Sequence, residues 1–390
     1  MTKKKVNVFI FIDSFGHELI KNVGSLHDEL KYQKPVRMQF GYSSTAIPCI
    51  LTGEQPTIHK QFTFFYHLKN KKSSIFKIFD TWVFKIIPGF ISNRRRFRVL
   101  ISKMLKKFFN INGYFDLYTV PFWKLKHFEY SEMRDLFQKD AFSDCKNLKD
   151  ILIENNIAHF ISDWRKSEDQ NFKELFDTLK NDQKDFIFAY FAGLDGVQHM
   201  HTKNSRETKS KVEYYKKKID VLFKILKEKG ENYNVAIFSD HGMTTRTKDV
   251  DLKKLLLGMN YKEGVDYLSF FDSTMARFWF YNEGVEDEVK RRLKGCEEGS
   301  FISQAEKESW GIDFRDFRYG DEIFLMKPGI QIAPSDMGVN SLPGMHGYTP
   351  EHPDSDAVWM SNFEPREYPK EVRNIFNCML EKIEEISHGN

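Results

Sequence analysis

Three short apolar runs, far apart in the chain, each give way at their C-terminal end to acidic or imidazole side chains, and nothing else in the sequence constrains the fold as much. Ile237-Phe238-Ser239 runs into Asp240-His241-Gly242-Met243, Val8-Phe9-Ile10-Phe11-Ile12 ends at Asp13, and Phe186 to Phe191 leads to Asp195 and then His199. Runs of this length, rich in Ile, Val and Phe, read as buried strands. Where strands lie parallel, ligands gather beyond their carboxyl ends, so these side chains stand where chemistry is expected. A fourth segment, the turn-rich Pro343-Gly344-Met345-His346-Gly347, adds another imidazole. Carboxylates and imidazoles gathered from separate strand ends suit a site for two divalent metals, zinc being the expected one.

The chain of 390 residues is long enough to bury a large core. Cys49, Cys145, Cys296 and Cys378 lie far apart with no paired spacing, which argues against a disulfide framework or a cysteine zinc site and reads as buried free thiols in a reducing compartment. No segment approaches the run of about 18 apolar residues that spans a bilayer. Lys3-Lys4-Lys5 precedes an apolar run too short for a signal peptide, so the N-terminus reads as the first core strand and the protein as cytoplasmic. Charge is unevenly spread. Between Lys69 and Lys107 twelve basic residues face one acid, Asp80, a local balance of +11 in a chain of net charge +4, so the remainder carries −7.

Taken in order, the pattern predicts a helix over His17 to Leu30, a strand over Val36 to Phe40, and then a run of hydroxyls, Ser43-Ser44-Thr45, opening an apolar helix that leads to Thr52-Gly53. Hydroxyls there cap helices, and they also present an oxygen where anions are favoured. Further expected elements are a strand over Asn156 to Trp164, helices over Asp169 to Leu179 and Ser205 to Lys229, and a strand over Asn234 to Ser239. Strand-like Met275 to Tyr281, a helix over Val285 to Leu293 and a strand over Glu322 to Met326 follow. The expected fold class is α/β: a mainly parallel sheet covered by helices on both faces, with inserted cap regions. Residues 1–60, 145–259 and 337–390 read as the metal-binding core, 61–144 as a basic aromatic cap, and 260–336 as a small α+β insertion.

At these residues the chain resembles the alkaline phosphatase superfamily, most closely its type I phosphodiesterase/nucleotide pyrophosphatase branch. The strand ending in Asp13, Ser43 through Thr52-Gly53, Asp195-Gly196-Val197-Gln198-His199, Ser239 to Met243 and Met345-His346-Gly347-Tyr348 carry the resemblance. It implies that Asp195, His199 and His346 hold one metal and Asp13, Asp240 and His241 the other. The nucleophile implied by counting back from Gly53 is Ser43, with Ser44 and Thr45 as alternatives. The expected activity is phosphodiester or pyrophosphate hydrolysis through a phosphoseryl intermediate. Transfer of the phosphoryl group to another acceptor, or monoester hydrolysis, is the alternative on the same site. Two positions depart from the family pattern: Ala46 stands where diesterases of this branch place an asparagine, and Ile47 where sulfatases place an arginine.

Each residue also has a plainer reading. Asp13 suits a helix cap, His346 a turn histidine, and His201 and His352 read as surface histidines. The basic stretch reads first as a solvated face. Its cations alternate with Ile86-Ile87, Phe90-Ile91 and Val99-Leu100-Ile101, which also fits a cap attracting a phosphorylated or lipid-linked substrate, or a peripheral anionic membrane surface. An anionic-lipid-binding protein with a relic site is the reading of a different class. No nucleic-acid-binding motif is present.

Overall fold

The computed structural model describes residues 5–67, 74–81, 84, 87, 92, 94–230 and 232–388. The chain divides into two compact units, one of Met1–His59, Phe137–Thr245 and Pro350–Asn390, the other of Lys60–Leu136 and Arg246–Thr349. Lys69, Lys71, Lys72 and Lys85 of the basic stretch, with Trp82, Ile86, Phe90 and Ile91, lie outside the described residues. Among the described residues no helix is long and apolar enough to cross a membrane.

The first unit is built on a six-stranded sheet. In chain order its elements are β1 (Lys5–Ile12), α1 (His17–Val23), β2 (Tyr32–Val36), α2 (Ser43–Thr52), β3 (His159–Ile161), α3 (Glu168–Asn181), β4 (Phe186–Phe191), α4 (Gly193–His201), α5 (Arg206–Lys229), β5 (Asn232–Phe238), β6 (Ala357–Ser361) and α6 (Ile375–His388). The strand order is β2-β6-β5-β1-β4-β3. β1 pairs in parallel with β4 and β5, β3 in parallel with β4, and β6 runs antiparallel to β5 and β2.

Alternation along the strands sorts the side chains into two chemically distinct faces. Val6, Val8, Ile10 and Ile12 of β1 join Ile187, Ala189, Val235 and Ile237 in an aliphatic layer, which α1, α3 and α5 cover with Leu19, Leu175, Ile219 and Leu222. The opposite face is aromatic: Phe9 stacks on Phe186, Phe11 on Phe238, and Phe238 on Trp359. α6 lies over this second face, its Lys382 above the ring of Phe363, which packs edge-on to Trp359. The sheet is therefore covered by helices on both sides, as expected.

Two elements differ from the sequence-based expectation. The helix begun at His17 ends at Val23, because Gly24 adopts φ +74°. Leu26 and Leu30 still join the aliphatic core, from irregular backbone. The ladder expected at Val36 to Phe40 lies instead at Tyr32–Val36. Its partner β6 begins at Ala357, opposite Val36, so hydrogen bonding to β6 runs out just where the apolar alternation begins. Pro35 is tolerated because β2 is an edge strand.

The second unit carries a four-stranded antiparallel sheet in the order Tyr267–Phe271, Met275–Phe280, Glu322–Met326, Gly299–Phe301. One side of it packs on the helix Val285–Leu293 through Val285, Val289 and Leu293. The other gives Leu268, Phe270 and Trp279 to a cluster with Phe65, Phe76, Phe115 and Phe128. The four cysteines are free; Cys49, Cys296 and Cys378 are buried, and Cys145 is only partly so.

Candidate active site

Asp13 and Asp240 are neighbours because of register. β1 and β5 pair with Phe11 opposite Phe238, so two residues further on Asp13 falls opposite Asp240, at the carboxyl ends of adjacent parallel strands. By alternation both continue the aromatic face. Tyr190, opposite Phe11 on the other side of β1, points the same way and donates its hydroxyl to Asp13 Oδ2 at 2.6 Å.

The turn after β1 is fixed tightly. Ser14 sits at φ +64°, and its N–H donates to Asp240 Oδ1 at 3.1 Å. Gln198 of α4 donates from Nε2 to the Ser14 carbonyl at 2.8 Å. Asp240 Oδ1 also receives the His241 N–H at 3.0 Å. Each carboxylate thus has one oxygen committed and the other turned inward. Asp13 Oδ1 and Asp240 Oδ2 are buried and accept no hydrogen bond.

The imidazole of His241 completes the cluster. Its Nδ1 lies 2.9 Å from the Gly242 carbonyl, which only accepts, so Nδ1 carries a proton and Nε2 is the ring nitrogen that can offer an electron pair. That Nε2 stands 3.2 Å from Asp240 Oδ2 and 3.5 Å from Asp13 Oδ1. Three electron-pair donors, one from each of Asp13, Asp240 and His241, lie within 4.8 Å of one another. Electron-pair donors facing one another inside a protein need a proton or a metal cation between them, and a carboxylate-imidazole set is ordinary zinc chemistry.

Ser43 Oγ lies 3.0 Å from the same Nε2. Ser43 opens α2 and is half-buried, whereas Ser44 and Thr45 are buried. Thr45 Oγ1 accepts from the Tyr42 N–H at 3.3 Å, so the capping role falls to Thr45 and leaves Ser43 at the cluster. Ala46 and Ile47 are buried and apolar. Gly53, at φ +74°, stops α2 where a Cβ would meet Phe376 at 2.6 Å.

Asp195 and His199 lie one turn apart on α4, with His199 Nε2 3.3 Å from Asp195 Oδ2. Asp195 and His241 each offer an atom within 4.8 Å of the other. His346 belongs to the second unit and is buried directly after the short strand Gly344–Met345. His201 is exposed, and His352 accepts from the Asp354 N–H at its Nδ1, a local turn role.

Burial raises the pKa of Asp13 well above the carboxylate range, and the charges of Asp240 and Asp195 push it further. Burial likewise carries Asp240 up to about 7, with Asp195 adding to it. The folded, metal-free chain therefore holds a proton on Asp240 that the unfolded chain releases near its ordinary value of 3.8. The contribution of Asp240 to stability falls as pH rises from 3.8 to about 7 and is level above that. Thermal melts of metal-free protein across this range are expected to show that decline, and Asp240→Asn is expected to make it shallower, leaving the part that Asp13 contributes.

Three residues of this cluster escape sequence reading: Tyr190, Ser14 and Gln198. Tyr190 had a signal, a hydroxyl in an otherwise phenylalanine face of β4. Gln198 had another, the polar member of a buried stripe with Leu194 on α4. Ser14 has none, because the partner that gives its N–H a role, Asp240, lies far away in sequence.

The Asp240-His241 corner is held by close backbone packing. A Cβ on Gly242 would stand 2.3 Å from the Asp354 carbonyl oxygen, and one on Gly16 would stand 2.4 Å from Gly242 Cα. Gly242→Ala is expected to cost about 2–3 kcal/mol in urea unfolding, because backbone cannot rotate away as a side chain would.

A model of the type I phosphodiesterase/nucleotide pyrophosphatase family matches residues 8–349. The chain belongs to that family. The family hydrolyses phosphoric esters and lies within the alkaline phosphatase superfamily, as the motifs implied. Among solved structures, murine ectonucleotide pyrophosphatase/phosphodiesterase 5, in an inactive variant complexed with AMP, superposes with a TM-score of 0.65 at 14% identity, covering 98% of this chain and 95% of that one. The human protein of the same name gives a TM-score of 0.65, also at 14% identity and with the same coverage. At that identity the likeness speaks for the fold. No curated protein sequence matches significantly.

Proposed function

We propose that this phosphodiesterase-family chain is a two-metal hydrolase of phosphodiesters or pyrophosphates in which Ser43 is the nucleophile. One observation carries the reading: Asp13, Asp240 and His241 each bring a ligand atom within 4.8 Å of the others, Asp13 Oδ1 and Asp240 Oδ2 are buried with no hydrogen-bond partner, and the half-buried Ser43 hydroxyl lies 3.0 Å from His241 Nε2. Asp13, Asp240 and His241 would hold one cation; Asp195 and His199 would hold the other, with His346 as the third ligand that the family resemblance assigns. Bound zinc would neutralise phosphate oxygens and favour the serine alkoxide.

The chain's own residues then have separate tasks. Tyr190 and the Ser14 N–H fix the outer oxygens of the two carboxylates, so that the inner oxygens stay aimed at the cluster. Ser43 presents its oxygen from the first turn of α2, where backbone N–H groups favour an anionic phosphate. Attack forms the Oγ–P bond as the bond from phosphorus to the leaving oxygen breaks, and water then cleaves the phosphoseryl ester. Ala46 offers no side-chain donor to the phosphate, so its oxygens depend on backbone amides and cations. The murine relative's complex with AMP makes nucleotide esters the first substrates to try.

A panel of bis-p-nitrophenyl phosphate, a nucleoside p-nitrophenyl diester, p-nitrophenyl phosphate and p-nitrophenyl sulfate, each with added zinc, tests the reading. Diesters are expected to be cleaved fastest and the sulfate left intact. Preferred cleavage of the sulfate, or no cleavage of any ester by zinc-loaded protein, would overturn it.

A further inference from the structure

The helix Arg95–Phe108 has two apolar faces, and one of them is turned to solvent. Ile101 and Leu105 are buried with Arg98 and Ser102 on the inner face. Leu100, Met104 and Phe108, one turn apart, form a line on the outer face and are 55%, 63% and 79% exposed. Single exposed apolar residues are ordinary on protein surfaces, but three stacked along one helix edge are not.

Beside that line runs a row of cations. At 100° per residue Arg96, Lys103 and Lys107 fall within about 40° of one another and next to Leu100, Met104 and Phe108. All three are exposed. Two neighbouring cations are engaged: Arg95 pairs with Asp116, and Lys106 donates to the Gly113 carbonyl. Among the described residues Arg96, Lys103 and Lys107 make neither hydrogen bond nor ion pair. Asp80, the one acid between Lys69 and Lys107, is paired with Lys126. Among the described residues, therefore, no acid neutralises the positive charge beside the apolar line.

We propose that this helix edge docks on an anionic lipid surface, with Leu100, Met104 and Phe108 entering the headgroup boundary and Arg96, Lys103 and Lys107 facing lipid phosphates. Exposed apolar side chains bordered by unpaired cations match the two attractions that hold interfacial helices, apolar burial and charge. A nucleic acid would use the cations and leave most of the apolar line uncovered. The proposal is independent of the active-site reading, since none of these residues belongs to the catalytic cluster.

The test is co-sedimentation of the full chain with vesicles of phosphatidylcholine alone, or containing about one third phosphatidylglycerol. Binding is expected to the anionic vesicles and to be at least about tenfold weaker to neutral ones. L100S/M104S/F108S and R96E/K103E/K107E change exposed side chains only and are each expected to weaken binding by about tenfold or more. Both variants are expected to keep the parent's melting temperature and its turnover of soluble ester. Equal affinity for neutral and anionic vesicles, parent-like binding by either variant, or no vesicle binding would overturn the proposal. So would tighter binding to an RNA oligonucleotide that survives L100S/M104S/F108S.

Discussion

Ser43→Ala is expected to lower the turnover of bis-p-nitrophenyl phosphate by about a thousandfold or more, with bound zinc and melting temperature unchanged. The size follows from the role: when a nucleophile is lost, what remains is the rate supported by binding and electrostatics alone. The assignment over its neighbours rests on placement. Ser44 and Thr45 are buried, Thr45 holds the start of α2, and the Ser43 oxygen lies 3.0 Å from His241 Nε2. Ser44→Ala is accordingly expected to stay within about tenfold of the parent. Steady-state kinetics of the two variants decide the matter, and full turnover by Ser43→Ala would remove the nucleophile from the account.

Asp13→Asn has the second large effect. The amide keeps the shape and a carbonyl oxygen for the Tyr190 hydroxyl, but removes the charge and the inward-facing anionic ligand. Bound zinc is expected to fall from about two to about one per chain, and kcat/KM by about a hundredfold or more. Stability is expected to move the other way in metal-free protein. Burial and the charges of Asp240 and Asp195 disfavour the Asp13 carboxylate in the fold, so a neutral side chain relieves that cost at pH 8. The parent, by contrast, is expected to gain more melting temperature on adding zinc. Element analysis with paired melts, with and without zinc, reads both effects.

How far the sequence discloses this site depends on which forces act locally. Strands β1, β4 and β5 and their acidic ends are legible because an apolar run broken by aspartate has one inexpensive arrangement, with the run buried and the carboxylate at the end. The stripe Val212, Ile219, Leu222, Phe223 and Leu226 likewise announces α5, which spans Arg206–Lys229. What one segment cannot contain is its register against another. That Asp13 falls opposite Asp240 follows from the pairing of Phe11 with Phe238, and only then do Tyr190, Ser14 and Gln198 gain their tasks. α1 and β2 depart from their sequence pattern for a related reason. Leu26, Leu30, Met38 and Phe40 are buried as their pattern implies, yet Gly24 and the start of β6 at Ala357 decide which of them lie in regular structure.

The most direct test is elemental analysis of the purified wild-type chain beside its turnover of a phosphodiester before and after chelation. About two zinc ions per chain, with turnover lost in chelator and restored by zinc, is the predicted result. A chain that carries no divalent metal and cleaves the diester equally well in chelator would contradict the claim that Asp13, Asp240 and His241 gather around a cation.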